Sequence, residues 1–544
     1  MTIFSIAMKK AILLLWLTLS AAAFAQQDAW VYFTDKPNAD TYLANPLTML
    51  SQRSLDRRTA QNIPLDLKDV PVSQDYINTV ASQSGVTVYA KSKWLNAVHV
   101  RGEIADIQAL TQLPFVASVD FADNAIDNGN RPAPNRPAAF QQKFETLADF
   151  PYGTSQSQIN MLNGQQLHQQ DYTGNGKVIA VLDAGFPGVD VLDAFARLRA
   201  NGHILGGYDF VARSSNFYTS NGHGTAVLST MGGYVEDQLV GTAPDADYYL
   251  FITESNTDEN PLEESLWVEA AEEADRLGVD IITTSLGYFH FVNPNYNYNY
   301  DDMNGTTAFI TRGADIAFSR GIIVVASAGN SGASATDPHI GVPADGINVL
   351  AVGAVDADEV RAAFSSLGPS YDGRVKPDVS AQGQQTIIAD SNGAIIAANG
   401  TSFSGPIIAG MTACLWQVFP DKTNAQIVGL IRQYADRFSS PDTFYGYGIP
   451  DFGAAMNSQL GIGNTSKEMF TVYPNPAGGQ LYIRNNGTAM PSDLILYNAM
   501  GQQVVTLHFE TDTTPVNLQQ LPKGVYFYSI TAGNNVTSGK ILKQ

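Results

Sequence analysis

The sequence predicts an α/β protein with a mostly parallel β-sheet in its central domain, a small α+β unit before that domain and a small β-sandwich after it. Three observations lead to this prediction. Residues 152–460 alternate short apolar segments with amphipathic helices, residues 27–122 mix strands of alternating polarity with helical segments, and residues 470–544 are a series of short strands separated by Gly, Asn and Pro. Continuous apolar strands are typical of a parallel sheet that is covered on both faces.

Length and charge limit the possible functions. The chain has 544 residues, which is too long for one ordinary domain. It carries 52 acidic and 31 basic residues, a net charge of −21. A surface this acidic repels nucleic acid and anionic membranes. We therefore expect neither as a partner. The single cysteine, Cys414, excludes a disulfide framework and is most simply a small buried hydrophobe.

The N-terminus has the pattern of a signal peptide over residues 1–25. Lys9 and Lys10 precede the apolar run 11–20, and small residues at 23 and 25 form a cleavage site. A membrane anchor is the weaker alternative, because the apolar run is short for a span and no charged stop-transfer segment follows it. No later segment is apolar and long enough to cross a bilayer, so we expect an exported protein without a transmembrane span in its mature form.

The α+β unit is predicted over residues 27–122. Its predicted strands are 29–35, 86–90, 97–100 and 115–121, and its predicted helices are 46–59 and 104–113. The following stretch, 123–151, is rich in Asn, Pro and Gly and is predicted to be a linker.

The central domain is predicted over residues 152–460. Its predicted buried strands are 178–183, 247–253, 279–287, 322–329 and 349–355. A predicted helix has Pro261 near its start and Gly278 just past its end, where each residue is best tolerated. A polar linker, 461–469, separates this domain from the β-sandwich at 470–544.

Two serines, Ser402 and Ser404, lie in the glycine-flanked segment GTSFSGP just ahead of an apolar run. A serine hydroxyl needs a base and an orienting acid to become a nucleophile. Among seven histidines, His223 is the best candidate base, because the flanking glycines in NGHGT allow a substrate to come close.

Two further polar residues follow predicted strands. Asp183 ends the strand VIAVLD, at the sheet edge where ligands collect in α/β proteins, although an aspartate there is also a common turn or helix cap. Asn330 follows the strand ending in SAGN, where it is a candidate oxyanion donor or simply a turn former with a positive φ angle.

These motifs occur in the order DAG, NGHGT, SAGN and GTSFSGP, and with them the sequence resembles the subtilisin-like serine proteases, the subtilase family. The resemblance implies a three-layer subtilisin-like fold for residues 152–460 and a secreted serine endopeptidase. It implies that Asp183, His223 and Ser402 form the catalytic triad, with Asn330 in the oxyanion hole. Ser404 is then a small residue of the first helical turn. Ser402 is expected at a helix N-terminus, where backbone N–H groups and the helix dipole favour developing negative charge.

The same resemblance implies a substrate-binding site. Ser285, Leu286 and Gly287 match the segment that pairs with substrate backbone by strand addition, and Ala328 and Gly329 are the other expected substrate-binding residues. It implies no cofactor for catalysis. Structural calcium is common in the family, but no spacing in this sequence identifies a metal site.

Three features depart from the family pattern. Ala184 replaces the usual Ser or Thr and removes a hydroxyl beside the acid. Tyr288 replaces a common glycine, which predicts a narrower cleft. The insertion 289–305 is rich in Tyr and Asn and is interpreted either as a substrate-binding loop or as a solvated loop.

The flanking units have resemblances of their own. Residues 27–122, with SKWLNAVHV and LPFVASVDF, resemble the inhibitory propeptides of subtilases, and a retained binding domain is the alternative. The C-terminal unit, with YPNP and a closing GKILK, resembles the sorting domains of type IX secretion, and a carbohydrate-binding sandwich is the alternative. The expected partners are protein or peptide substrates, the chain's own propeptide as an intramolecular inhibitor, and the type IX machinery. The expected location is outside a Gram-negative cell or on its surface, after passage through the periplasm.

Other functions use the same scaffold. A catalytically inactive subtilase acting as a surface binding or adhesion protein belongs to a different functional class. A peptide ligase or an esterase would use the same acyl-enzyme.

Overall fold

The computed structural model describes residues 26–126, 150–255, 257, 259–458, 470–485, 491–498, 502–532 and 535–544. The predicted signal peptide, the linker 461–469 and most of the linker 123–151 lie outside these residues. The chain divides into two compact units, one ending at Asn457 and one beginning at Ser458. Among the described residues, no helix combines the length and apolar character that crossing a bilayer requires.

The N-terminal domain is a four-stranded antiparallel sheet with helices, in the strand order β2-β3-β1-β4. Its elements are β1 (Gln27–Phe33), α1 (Ala39–Leu43), α2 (Gln52–Ala60), α3 (Gln74–Ala81), β2 (Val86–Ser92), β3 (Ala97–Gly102), α4 (Ile104–Ala109) and β4 (Val116–Phe121). Both faces of β1 are buried. Ala29 and Val31 pack in the domain's own core, whereas Trp30 packs in a core of the central domain and stacks on Phe309 at 5.1 Å between ring centroids. The sheet therefore docks on the central domain through one face.

The central domain contains a seven-stranded parallel sheet in the order β13-β12-β11-β10-β5-β9-β6. Its elements are α5 (Gln156–Asn160), α6 (Gln165–His168), β5 (Val178–Asp183), α7 (Ala196–Asn201), β6 (Ile204–Asp209), α8 (His223–Gly232), β7 (Tyr234–Val235), β8 (Leu239–Val240), β9 (Asp247–Ile252), α9 (Leu262–Leu277), β10 (Ile281–Thr284), α10 (Phe309–Ser319), β11 (Ile323–Ser327), β12 (Leu350–Val355), β13 (Val379–Gln382), β14 (Thr386–Ala389), β15 (Ile395–Ala398), α11 (Thr401–Val418), α12 (Asn424–Gln433) and α13 (Phe452–Asn457).

Helices cover both faces of this sheet, which confirms the predicted layers. In β5, Ile179 and Val181 belong to the core that includes α8 and α11, whereas Ala180 and Leu182 belong to the core that includes α9 and α10. A strand between two apolar layers has to be apolar at every position, which explains the unbroken run in the sequence.

The topology brings the predicted site residues together. Parallel strands end at one edge of a sheet, and β5, β10 and β11 are neighbours that end at Asp183, Thr284 and Ser327. The helices α8 and α11 begin at His223 and Thr401.

The C-terminal unit consists of two antiparallel sheets, in the orders β16-β17-β20 and β19-β18-β21-β22. Its strands are β16 (Phe470–Tyr473), β17 (Gln480–Asn485), β18 (Ser492–Tyr497), β19 (Gln503–Phe509), β20 (Thr513–Asn517), β21 (Gly524–Ala532) and β22 (Asn535–Lys543). Leu481 and Ile483 of one sheet share a core with Leu494 and Ile530 of the other. The predicted β-sandwich is therefore confirmed.

Candidate functional site

One cleft of about 480 Å³ at the carboxyl edge of the sheet collects the predicted site residues. Its lining includes Asp183, His223, Ser285, Leu286, Gly287, Ala328, Gly329, Asn330 and Ser402. All nine residues singled out from the sequence therefore lie around the same space.

The acid and the base are in direct contact. The Nδ1 atom of His223 lies 2.8 Å from Oδ1 of Asp183, whose side chain is 2% exposed. The negative charge of Asp183 raises the pKa of His223 above its ordinary value, although partial burial opposes this. A Cβ at Gly224 would lie 2.5 Å from the carbonyl oxygen of Gly185. Glycine at 224 thus lets α8 start this close to the end of β5.

The departure at Ala184 has a structural consequence. The Ala184 N–H donates to Oδ1 of Asp183 at 2.7 Å. The other oxygen, Oδ2, is buried and has no hydrogen-bond partner among the described residues. Ala184 brings no hydroxyl to this part of the site, whereas the family usually carries Ser or Thr at this position.

We expect Ala184→Ser to lower the pKa of His223. A hydroxyl donating to Oδ2 of Asp183 withdraws charge from the carboxylate and weakens its attraction for the imidazolium. A base has to be neutral to accept a proton. A reaction that uses His223 as its base therefore has a kcat/KM profile whose acid limb lies above the ordinary histidine range in the wild type and moves to lower pH in the variant. Asp183→Asn removes the carboxylate charge entirely, so its profile should show the largest shift of the acid limb to lower pH. An acid limb that stays in place in both variants would contradict this assignment.

The side chain of Asn330 is held in one orientation. Its Oδ1 accepts hydrogen bonds from the backbone N–H of Thr401 at 2.9 Å and from the Thr401 hydroxyl at 3.0 Å. With the oxygen engaged, the amide N–H₂ group is the part of this cleft-lining side chain that stays available as a donor. The positive φ of this turn belongs to Gly329, at 104°, and not to Asn330. The alternative reading of Asn330 as a positive-φ turn former is therefore wrong.

Ser402 lies in the first turn of α11. Its hydroxyl contacts the carbonyl oxygen of Ser285 at 3.4 Å, and the Ser285 hydroxyl donates to the carbonyl oxygen of Ser402 at 2.8 Å. Ser402 and His223 line the same cleft. Ser404, in contrast, is buried and donates to the carbonyl oxygen of Thr401.

The wall next to Gly287 carries a buried polar pair. The Tyr288 hydroxyl donates to the two carboxyl oxygens of Glu254, at 2.7 and 2.9 Å, and its ring stacks on Phe291. Burial raises the pKa of Glu254 well above its usual range. The Tyr288 side chain is 1% exposed, so it forms part of the wall. Sequence reasoning missed Glu254. Glu254 lies two residues after the end of β9, the strand next to β5. A carboxylate at this edge of the sheet was the signal that could have identified it.

The insertion 289–305 packs against the domain. Phe291, Tyr296 and Met303 are buried, whereas Val292 is 70% exposed, so the insertion is solvated only in part. Among the described residues, no group of three acidic, histidine or cysteine side chains is placed to hold a metal ion, and structural calcium stays a prediction.

Comparison with known families and proteins identifies all three parts of the chain. Residues 28–138 match the peptidase S8 propeptide domain of Bacteroidota, residues 174–448 the subtilase family, and residues 471–544 the secretion system C-terminal sorting domain. Subtilisin NAT from Bacillus subtilis subsp. natto is 30% identical over 378 residues, covering 69% of this chain and 84% of that protein.

A subtilisin from Bacillus pumilus is 32% identical over 307 residues, 56% of this chain and 98% of its own length. The crystal structure of MycP1 with the N-terminal propeptide removed is 23% identical and covers 57% of this chain and 98% of that one, with a TM-score of 0.45. The subtilase match over residues 174–448 and the 30% identity to subtilisin NAT show that the chain belongs to the subtilase family, with a propeptide domain before the subtilase domain and a type IX sorting domain after it.

Proposed function

We propose that this protein is a serine endopeptidase in which Ser402 is the nucleophile, His223 the general base and Asp183 the acid that orients it. The observation that carries the proposal is the 2.8 Å contact between Asp183 and His223, in the cleft that Ser402 also lines. Casein hydrolysis by the processed protein tests the activity.

The reaction follows from the positions of these groups. The Ser402 hydroxyl attacks the scissile carbonyl carbon and passes its proton to Nε2 of His223. The developing oxyanion accepts hydrogen bonds from the amide N–H₂ group of Asn330 and from the backbone N–H of Ser402. When the C–N bond breaks, His223 gives its proton to the leaving amine, and an acyl-enzyme remains. Water, deprotonated by His223, then releases the acid product and the free serine.

Substrate binding is proposed on the two sides of the cleft. The segment 285–287 continues from β10 beyond its last paired residue, which leaves backbone groups for strand addition by an extended peptide. Ala328 and Gly329 line the same cleft.

We expect Asn330→Ala to lower kcat about 10²–10³-fold with little change in KM. The amide contributes only once the oxyanion forms, and the loss of one such donor from a subtilisin costs about 2.7–4 kcal/mol. Steady-state kinetics on a short chromogenic peptide measures both constants. Ser331→Ala, at the exposed neighbouring position, is the control and should stay near wild type. A variant that raises KM and spares kcat would contradict an oxyanion role.

The type IX sorting domain indicates export to the cell surface or beyond it. We propose the division into a signal peptide (1–25), a propeptide (27–122), a linker (123–151), a catalytic domain (152–460), a short linker (461–469) and the sorting domain (470–544). The ranges matched by the three families support the order of the propeptide, catalytic and sorting parts, and the propeptide match extends to residue 138, into the proposed linker.

A further inference from the structure

The Tyr- and Asn-rich insertion connects the catalytic cleft to the end of the N-terminal domain. At one end, Phe289 lines the cleft, and the Val292 N–H donates to the carbonyl oxygen of Glu259, another lining residue. Its tip, defined here as residues 293–297, lies against the segment that follows β4.

The tip holds that segment through three hydrogen bonds. The Asn124 N–H donates to the carbonyl oxygen of Asn295 at 3.1 Å, and the Asn124 side-chain amide donates to the carbonyl oxygen of Asn297 at 2.9 Å. The side-chain amide of Asn295 donates to Oδ2 of Asp123 at 3.1 Å. The tip thus contacts one backbone group, one amide and one carboxylate of an Asp-Asn pair.

Three hydrogen bonds within the central domain support the conformation of the tip. The side-chain oxygen of Asn293 accepts from the Asn295 N–H at 3.1 Å, and that of Asn297 accepts from the Phe291 N–H at 2.7 Å. The Tyr298 hydroxyl donates to Glu264 at 2.8 Å. None of these bonds involves the N-terminal domain, which the tip contacts also through the Tyr296 hydroxyl, an acceptor from the Asp28 N–H at 3.4 Å and a donor to Gln27 at 3.2 Å. The bonds within the central domain are the ones that remain after the propeptide leaves.

We propose that the tip is a docking subsite for an extended polypeptide that carries a carboxylate and an amide side chain in adjacent positions. In the unprocessed chain its occupant is Asp123-Asn124. In the mature enzyme its occupant is a substrate segment of the same chemistry. This inference rests on the proposed endopeptidase function and names a preference of the same enzyme.

The direction of the chain determines on which side of the scissile bond the tip binds a substrate. Processing is expected in the linker, on the C-terminal side of Asn124, and the docked pair therefore precedes the bond that is cut. A substrate bound in the same direction presents its acid-amide pair N-terminal to the scissile bond.

Cleavage-site profiling tests the substrate part of the proposal. The processed wild type and Asn295→Ala each digest a tryptic peptide library from an unrelated proteome, and mass spectrometry identifies the cleaved bonds. We expect the wild type to favour Asp-Asn pairs at one fixed distance before the cleaved bond. Asn295→Ala should lose this preference about tenfold, because it removes the amide that binds the carboxylate. The remaining cleavages show that the variant is folded.

Val292→Ala is the matched control, since this side chain of the same insertion is 70% exposed. Its profile should equal that of the wild type. The full-length chain gives a second reading, because Asn295→Ala should shorten the lag before activity appears.

A shorter lag with an unchanged profile would restrict the tip to the propeptide and overturn the substrate part. No change in either reading would overturn the whole inference. No hydrolysis by the wild type would instead overturn the proposed function, and the substrate preference with it.

Discussion

Replacement of Ser402 by alanine is expected to lower kcat about 10⁶-fold, the magnitude known for losing the nucleophile of a subtilisin. Without the hydroxyl, no acyl-enzyme forms, and only oxyanion stabilisation and binding remain. In the full-length chain, the same change should also prevent self-processing. Kinetics on a chromogenic peptide and the mass of the secreted protein measure the two effects.

Ser404→Ala is the control for this experiment. Ser404 lies two residues further along α11, and its hydroxyl is used within the helix, on the carbonyl oxygen of Thr401. The variant should keep activity within about tenfold of the wild type. Equal losses in the two variants would contradict the assignment of the nucleophile.

The second large effect concerns the contact between the propeptide and the catalytic domain. Asp275 of α9 is fully buried and accepts hydrogen bonds from Arg57 at 2.5 Å and from Arg58 at 2.9 Å, both on α2 of the N-terminal domain. Burial alone would raise the pKa of Asp275, but the charges of Lys93, Arg58 and Arg57 lower it to about 2. Asp69 gives Arg58 a second carboxylate partner.

Asp275→Asn is expected to weaken the processed propeptide–enzyme complex by about 10²–10⁴-fold. Removing one partner of a buried ion pair costs about 3–5 kcal/mol, because two buried guanidinium groups lose most of their compensating charge. The onset of proteolytic activity after dilution of the complex measures its dissociation. In the wild type, the lowered pKa of Asp275 means that this stabilisation is present above about pH 4 and is lost as the pH falls toward 2.

Glu273→Gln is the matched control on the same helix. Glu273 pairs with Arg276 at the surface of α9, and surface ion pairs contribute little. Its complex should dissociate like the wild type. If Asp275→Asn dissociates no faster than this control, the buried arginine pair does not hold the propeptide.

A central strand of the sheet could be predicted from the sequence, whereas the edge strands could not. The apolar run at 178–183 is β5 with the same bounds, because a central strand buried on both faces leaves an unbroken apolar pattern. The edge strands β6 and β13 were not predicted. β6 (ILGGYD) contains two glycines and β13 (VSAQ) is half polar, so neither forms an apolar run.

The positions of the site residues could be predicted from the sequence, but their contacts could not. Asp183 and Asn330 could be located because each follows an apolar strand, and His223 and Ser402 because each lies in a glycine-flanked motif. The orientation of the Asn330 amide depends on Thr401, 71 residues away, and only the folded chain brings them together. The buried Glu254 and the Arg57–Arg58 pair were missed because these residue types are seldom buried unless a partner from elsewhere in the chain compensates them.

Fluorophosphonate labelling of the secreted, propeptide-free protein is the most direct test of the central claim that Ser402 is an activated nucleophile. Mass spectrometry of the digested product locates the label. We predict one modified residue, Ser402, with the label lost in Ser402→Ala and strongly reduced in His223→Ala. Absence of label on a folded, propeptide-free protein would contradict the claim, and a binding protein on an inactive subtilase scaffold would then be the better account.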